Sequence, residues 1–153
     1  MSLSKSKKHW EDMGDLDPFW SILTEPGTKH GNWDIKKFFE TGSDEISCLI
    51  SAAERLGLPK QREWALDFGC GVGRLTRALA PLFQNVVGID ISKSMLRRAV
   101  DLILTPIASL CTTIPTRSRF PPGSLISFTP PWSYSMYRLR SPFGAISRSS
   151  CEF

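Results

Sequence analysis

The second part of the chain lacks several common amino acids. Residues 101–153 contain no Lys, His, Asn, Gln or Val, while they hold ten Ser and seven Pro. A folded domain does not usually lose five residue types in the half that should supply its remaining strands. Proline cannot donate to a central sheet ladder. Two proline pairs break the only plausible strands there: Pro121-Pro122 and Pro130-Pro131. We therefore expect the fold to stop short of residues 104–153, which should form a disordered or irregular tail.

Other absences exclude whole classes of protein. No stretch of about 18 uninterrupted apolar residues occurs, and the N-terminal MSLSKSKKHWEDMGD is positively charged without the apolar core of a secretion signal. The four cysteines form no C-x-x-C pair, and His9 and His30 are not spaced as zinc ligands. We expect a cytoplasmic protein with no membrane span and no metal. The sequence does not indicate an oligomeric state.

The positive charge is concentrated where the sequence looks least like a folded domain. The chain has a net charge of +4 and a pI near 9.0. Residues 1–100 carry 14 basic and 13 acidic side chains, whereas residues 101–153 carry 5 Arg and 2 acids. A nucleic-acid-binding face requires clustered basic residues on the folded part. No nucleic-acid partner is therefore evident.

The most informative segment is residues 64–90, which read WALDFGCGVGRLTRALAPLFQNVVGID. An apolar run ends at Asp67, a glycine turn and a helical pattern follow, and a second apolar run ends at Asp90. Glycines at alternate positions let the chain turn sharply off a strand and approach a ligand where any Cβ would collide. A right-handed crossover brings the tip of the second strand beside the turn, where a carboxylate can hold ribose hydroxyls. The segment predicts a site for an adenosine derivative.

The spacing of the turn distinguishes between adenosine cofactors. Dinucleotide-binding folds favour G-x-G-x-x-G, whereas the glycines here follow G-x-G-x-G: Gly69, Gly71 and Gly73. A carboxylate at Asp67 suits a cofactor that carries an ammonium and a sulfonium, and it would repel a pyrophosphate. The D-x-G-x-G-x-G pattern resembles motif I of class I S-adenosylmethionine (SAM)-dependent methyltransferases, and VVGID resembles their ribose-binding strand. We predict that the cofactor is SAM. The alternatives are NAD or FAD, or a turn with a purely structural role.

The resemblance implies a role for each residue of this site. Asp67 would orient the methionine ammonium, directly or through water. The three glycines of the turn would admit the cofactor, and the amides around Cys70 would lie near it. Asp90 would hold the ribose, while Ile91 and Met95 would pack on the adenine. Any catalytic base normally lies beyond the second strand in this family, so no catalytic residue is named.

The chain divides into three segments: residues 1–42, an N-terminal helical or lid segment; residues 43–103, a SAM-binding Rossmann-like half-domain; and residues 104–153, the tail. In the resembling family a segment before the fold often closes over the cofactor, which makes Trp33 a candidate lid contact. The alternative is that the N-terminal aromatic residues simply pack their helices on the sheet.

Local signals place the elements of the half-domain. A helix is predicted from an N-cap at Ser43 to a stop at Gly57, and another runs from about Gly73 to Leu82, where Pro81 tightens its last turn. Ser92 should cap a third helix. Short apolar runs predict two strands, Glu63–Phe68 and Asn85–Ile89.

A shift of reading frame is one explanation for the tail. If each codon is rebuilt from the last nucleotide of one codon and the first two of the next, residues 126–139 can become DLIYSTLVLQHVPP and residues 103–114 can become NPDPHRKFVHND. These strings resemble the surroundings of strands four and three in small-molecule methyltransferases. The hypothesis places the break between about Arg98 and Ile103. A natural Ser/Pro/Arg-rich extension is the alternative.

These patterns predict an α/β fold, an incomplete Rossmann-like three-layer sandwich of the class I methyltransferase type. The resemblance implies methyl transfer from SAM to an unidentified, small-molecule acceptor, and this chain is expected to be a truncated, inactive form. A non-catalytic SAM-binding fragment and an NAD-dependent oxidoreductase are the alternatives.

Overall fold

A computed structural model describes residues 3–103, 108–112 and 125–128 of the chain. Five helices and four strands lie within them. In chain order they are α1 (Leu3–Leu16), α2 (Pro18–Ile22), α3 (Ile35–Arg55), β1 (Trp64–Phe68), α4 (Arg74–Leu79), β2 (Asn85–Ile89), α5 (Lys93–Leu102), β3 (Ala108–Cys111) and β4 (Leu125–Phe128). None of the helices in the described ranges is long and apolar enough to cross a membrane.

The four strands form one parallel sheet in the order β3-β2-β1-β4. β1 is central, and its Trp64 pairs with Asn85 on one side and with Leu125 on the other. Both β1 and β2 are short and apolar, as expected of parallel strands that are buried on both faces. This sheet confirms the predicted α/β class with Rossmann-like topology.

The sequence predicted two strands, and the sheet has four within the described residues. β3 and β4 lie after residue 103, so the expectation that the fold stops there is wrong for these two strands. Each strand has three apolar residues and one serine, and β4 falls between the two proline pairs rather than across them. The remaining predictions for the tail, including most of the frame-shifted strings, lie outside the described residues.

Helix α3 is longer than predicted. It begins at Ile35, where the Asp34 side chain accepts a hydrogen bond from Lys37 N at 3.1 Å, and not at Ser43. The sequence suggested a boundary at Gly42, but a Cβ there would lie 2.5 Å from Arg74 O. That glycine allows α3 and α4 to approach closely and does not end a helix. The helix therefore crosses the proposed boundary between residues 42 and 43.

The other elements agree with the sequence to within a few residues. β2 has the predicted bounds, and β1 begins one residue late. The Ser92 side chain caps α5 by accepting from Met95 N at 3.2 Å. Helix α4 ends at Leu79, two residues before Pro81 and three before the predicted Leu82. Ala80 still has helical dihedral angles, but Pro81 has no N–H with which to continue the helical hydrogen bonds.

The largest hydrophobic cluster joins α3 and α4 to one face of the sheet. It buries side chains from both helices, from β1 and β2, and from the segment after α4: Ile46, Leu49, Ile50, Ala65, Leu75, Ala78, Leu79, Phe83 and Val86. Alternate sheet residues Leu66, Val87 and Ile89 lie on the opposite face. A third cluster joins the N-terminal aromatic residues to Val72 and Met95. These packed layers fix the ends of β1 and β2 relative to the N-terminal segment.

Candidate cofactor site

The glycine turn is tied to the end of β2 by backbone hydrogen bonds. Gly69 N and Cys70 N both donate to Ile89 O, at 2.7 and 2.9 Å. Gly71 has φ +53°, and a Cβ on it would lie 2.5 Å from Ile22 Cδ1. A side chain at this position would therefore be strained and would collide with α2. The turn brings the main chain close to α2 of the N-terminal segment, and the predicted close approach of a ligand to the glycines stays a prediction.

Asp67 is a buried carboxyl group with one unused oxygen. Its side chain is 1% exposed, and Oδ2 accepts a hydrogen bond from Thr76 Oγ1 at 2.6 Å. Oδ1 has no partner among the described residues. Burial raises the pKa of Asp67 to about 6, although Thr76 and the charge of Arg74 oppose the rise. A buried acceptor without a donor is costly unless a ligand satisfies it.

Asp90 connects the end of β2 to the glycine turn. Oδ2 accepts from Gly71 N and Oδ1 accepts from Ser92 N, both at 2.8 Å. Burial raises the pKa of Asp90, and the hydrogen bonds from the Ser92 and Gly71 amides partly offset that effect. An ionised carboxylate has about four acceptor positions, so two amide donors leave room for ribose hydroxyls.

The structure also brings the lid candidate and the adenine candidate into one cluster. Trp33 is 9% exposed and Met95 is 1% exposed, and both pack with Val72 of the turn. Trp33 Nε1 donates to Leu23 O at 3.0 Å, so its ring is held by the N-terminal segment. Ile91 is only partly buried. The packing alternative for the aromatic residues and a lid role are both compatible with this position, and the lid role stays a prediction.

Cys70 contributes its backbone to the site. Its side chain is 5% exposed, and Sγ donates to Gly71 O at 3.8 Å. Burial raises the pKa of the Cys70 thiol, and the charges of Asp67 and Asp90 add to the rise. The thiol therefore stays protonated and is a poor nucleophile.

Two acidic residues near the site were missed by the sequence analysis. Glu45 on α3 forms a buried ion pair with Arg74 at 2.7 Å, and Thr41 accepts from the same guanidinium at 3.2 Å. Glu11 on α1 contacts the start of α5. The Arg74 side chain directly after the glycine turn was a signal for a buried acidic partner. Nothing in the sequence pointed to Glu11, because its partners lie about 80 residues away.

These features define a class of protein. A parallel sheet in this order, with a glycine turn after the central strand and an acid from the next strand touching that turn, is the arrangement of Rossmann-like proteins that bind adenosine derivatives. Residues 65–123 match the sequence model of the methyltransferase domain family. The domain match and the fold confirm the resemblance of this chain to class I SAM-dependent methyltransferases. The match continues past residue 103, where the sequence analysis expected the resemblance to end.

Solved structures share the fold at low sequence identity. Phosphoethanolamine N-methyltransferase 1 of Haemonchus contortus, in complex with phosphoethanolamine and S-adenosylhomocysteine (SAH), is 18% identical with a TM-score of 0.51; the match covers 74% of this chain and 22% of that one. N-methyltransferase NodS of Bradyrhizobium japonicum, with SAH, is 18% identical with a TM-score of 0.49 and coverages of 71% and 47%. The magnesium protoporphyrin IX methyltransferase of Synechocystis, with SAH, is 20% identical with a TM-score of 0.46 and coverages of 72% and 51%.

The extent of these matches limits what they establish. The chain spans about a fifth to a half of the length of these three proteins. No curated protein matches the sequence. The similarity to the Haemonchus contortus enzyme shows the fold, and it does not assign an acceptor.

Proposed function

We propose that the chain binds SAM at the ends of β1 and β2, and that the parent fold transfers its methyl group to a small-molecule acceptor. The observation that carries this proposal is the pair of acids beside the glycine turn. Asp67 presents a buried, unpaired carboxylate oxygen, and Asp90 lies against Gly71 N. One acid suits a ligand ammonium and the other suits ribose hydroxyls.

The residues of the site fit SAM better than a dinucleotide. A positively charged amino acid group would satisfy Asp67 Oδ1, which has no donor among the described residues. A pyrophosphate beside the same carboxylate would be repelled, since Asp67 is fully buried and repulsion between like charges is strong at low dielectric. The phosphoethanolamine N-methyltransferase of Haemonchus contortus, which shares this fold, binds SAH, and this supports the same choice. Dinucleotide oxidoreduction is therefore disfavoured.

The described residues would act by binding and orientation. SAM supplies an electrophilic methyl group on its sulfonium, and a nucleophile displaces it in line. Asp67 and Asp90 would fix the two polar ends of the cofactor, and Met95 with Ile91 would offer an apolar surface to the adenine. Positioning of this kind can account for a large part of the rate enhancement. The acceptor and any base for its proton are not among the residues assigned here.

Turnover by this chain is expected to be negligible. In the resembling family, acceptor contacts lie beyond the second strand, and residues 104–153 have an unusual composition. A non-catalytic SAM-binding form is the second candidate function, favoured by this same composition. Cytoplasmic localisation, and the division of the chain at residues 42 and 103, stay predictions.

Calorimetry on the full chain tests the proposal. SAM and SAH should bind and NAD should not, and the affinity should fall as the pH drops below about 6, where Asp67 takes up a proton. Asp67→Asn should remove that pH dependence. The matched control Asp44→Asn, on the exposed face of α3, should keep it. NAD binding without a SAM or SAH signal would reject the proposal. A methyl-transfer assay then separates the enzyme from the non-catalytic form.

A further inference from the structure

A single carboxylate on α1 docks that helix on the start of α5. Glu11 Oε1 accepts from Lys93 N at 2.9 Å, and Oε2 accepts from Ser94 N at 2.8 Å. Oε2 also accepts from Ser92 Oγ at 3.1 Å. The first backbone N–H groups of a helix have no partner inside the helix. Glu11 therefore supplies from a distant segment the acceptors that the first turn of α5 needs.

The remaining contacts of α1 reinforce this docking. Ser94 Oγ donates to Glu11 O at 3.1 Å, and Arg98 Nε donates to Gly14 O at 2.8 Å. Gly14 faces Ser94 and Met95 so closely that a Cβ would collide with the Ser94 hydroxyl. Two helices far apart in the sequence thus meet through polar contacts on both sides of a glycine.

The N-cap residue of α5, Ser92, also contacts Asp90, the second acid of the candidate cofactor site. Ser92 uses its hydroxyl to contact Glu11 and its backbone N–H to contact Asp90 Oδ1. Asp90 Oδ2 then accepts from Gly71 N of the glycine turn. A continuous series of hydrogen bonds therefore runs from Glu11 through Ser92 and Asp90 to Gly71. Because each of these distances lies between 2.8 and 3.1 Å, the series contains no gap.

Charge couples the two carboxylates as well. Burial raises the pKa of Glu11, but the amides of Lys93 and Ser94 outweigh that effect and leave it lowered. Glu11 is therefore ionised at neutral pH, and its charge contributes to the raised pKa of Asp90. The positive end of α5 lies between them and stabilises both negative charges.

We propose that Glu11 is a positioning residue for cofactor binding, which fixes the start of α5 and, through Ser92, the Asp90 carboxylate that faces the ribose. This inference rests on the proposed function. It gives α1 a role in the site although α1 lies outside the Rossmann-like segment. Glu11 itself does not touch the reacting atoms.

Two measurements on the full chain test this role. In Glu11→Ala, the Kd for SAH should rise about fivefold, the lower end of typical coupling between sites. Amide hydrogen exchange at Gly71 and Ser92 should accelerate by a similar factor, about fivefold, because their acceptor Asp90 is less firmly held. Glu11→Gln keeps one acceptor oxygen and should show the same changes at reduced size. The matched control Asp12→Asn removes an exposed carboxylate one residue away on α1 and should change neither quantity.

The outcomes separate positioning from simple tethering. Faster exchange confined to Lys93 and Ser94, with unchanged Gly71 exchange and SAH affinity, would show that Glu11 only attaches α1, and would overturn the inference. If Glu11→Ala does not fold, Glu11→Gln decides by the same criteria. If the unmutated chain binds no SAH, the proposed function fails, and the Gly71 exchange, which needs no cofactor, still decides whether Glu11 positions Asp90.

Discussion

The ends of β1 and β2 carry one aspartate each, and the protein treats these two neighbouring corners differently. At the β1 corner, Asp67 is 1% exposed. One of its carboxylate oxygens accepts a hydrogen bond from a hydroxyl group, and the other has no donor among the described residues. At the β2 corner, Asp90 accepts hydrogen bonds from two backbone N–H groups, one in the glycine turn and one at the start of α5. The first carboxyl group is isolated, whereas the second organises the main chain around it.

This difference suggests a ligand-binding role for Asp67 and a structural role for Asp90. An unpaired buried carboxylate destabilises the folded protein, and under the proposed function a ligand would satisfy Asp67. Asp90 serves the fold, because the backbone of Gly71 and of Ser92 donates to it, and under the proposed function it would also hold the ligand. Substitutions at the two corners should therefore have opposite effects on stability, while both should weaken cofactor binding.

The largest effect is expected at the β2 corner. Asp90→Ala should weaken SAH binding by about 1.5–3 kcal/mol, the scale for losing charged hydrogen bonds. It should also lower the free energy of unfolding by about 2 kcal/mol, because Gly71 N and Ser92 N lose their acceptor. Calorimetry and urea denaturation measure the two quantities. Unchanged stability would mean that Asp90 does not hold the turn.

Substitution at the β1 corner is expected to change the free energy of unfolding in the opposite direction. The pKa of Asp67 lies at about 6 in the folded protein, above its ordinary 3.8. The folded state therefore binds the proton more tightly, and stability falls as the pH rises from about 4 through about 6. Asp67→Asn is neutral at every pH and should raise the free energy of unfolding at pH 8 by about 2 kcal/mol, with little change at pH 4. Urea denaturation at both pH values measures the change. An equal change in the free energy of unfolding at pH 4 and pH 8 would contradict this prediction.

The smallest effect is expected from removing the hydrogen bond that the Thr76 hydroxyl donates to Asp67. Thr76→Val keeps the shape of the side chain and removes the hydrogen bond to Asp67 Oδ2. It should lower the free energy of unfolding at pH 8 by about 1 kcal/mol and move the pH transition assigned to Asp67 to higher pH. Thr76→Ser retains the hydroxyl and serves as the control. If both variants shift the transition equally, packing and not the hydrogen bond is responsible.

The sequence predicted the centre of the fold correctly, while the roles of the candidate site residues stay predictions. The turn after β1, the strand β2 and the N-cap at Ser92 were all visible because each depends on a few consecutive residues. Glycine spacing, an apolar run and a capping hydroxyl are local signals. Asp67 and Asp90 could be placed at adjacent strand ends for the same reason, since parallel strands joined by a crossover end at one edge.

The features that were missed depend on contacts distant in sequence. The start of α3 was misplaced because Ser43 reads as an N-cap, whereas the helix continues through Gly42, where close packing against Arg74 leaves no room for a Cβ. The pairing of Glu45 with Arg74, and of Glu11 with α5, leaves no periodic trace in the sequence. β3 and β4 were missed because three apolar residues and a serine between prolines carry too little pattern, and their pairing partners lie in β1 and β2.

The order of the sheet also dictates when β1 gains its neighbours during synthesis. Trp64 pairs with Asn85 on one side but with Leu125 on the other, so the second pairing closes a much longer loop at greater entropic cost. Until Leu125 leaves the ribosome, the central strand is an edge with unpaired N–H and C=O groups. A chaperone that binds extended segments would compete with folding at that stage. Arrested nascent chains ending before and after β4 should differ in the hydrogen-exchange protection of β1, while β2 remains paired in both.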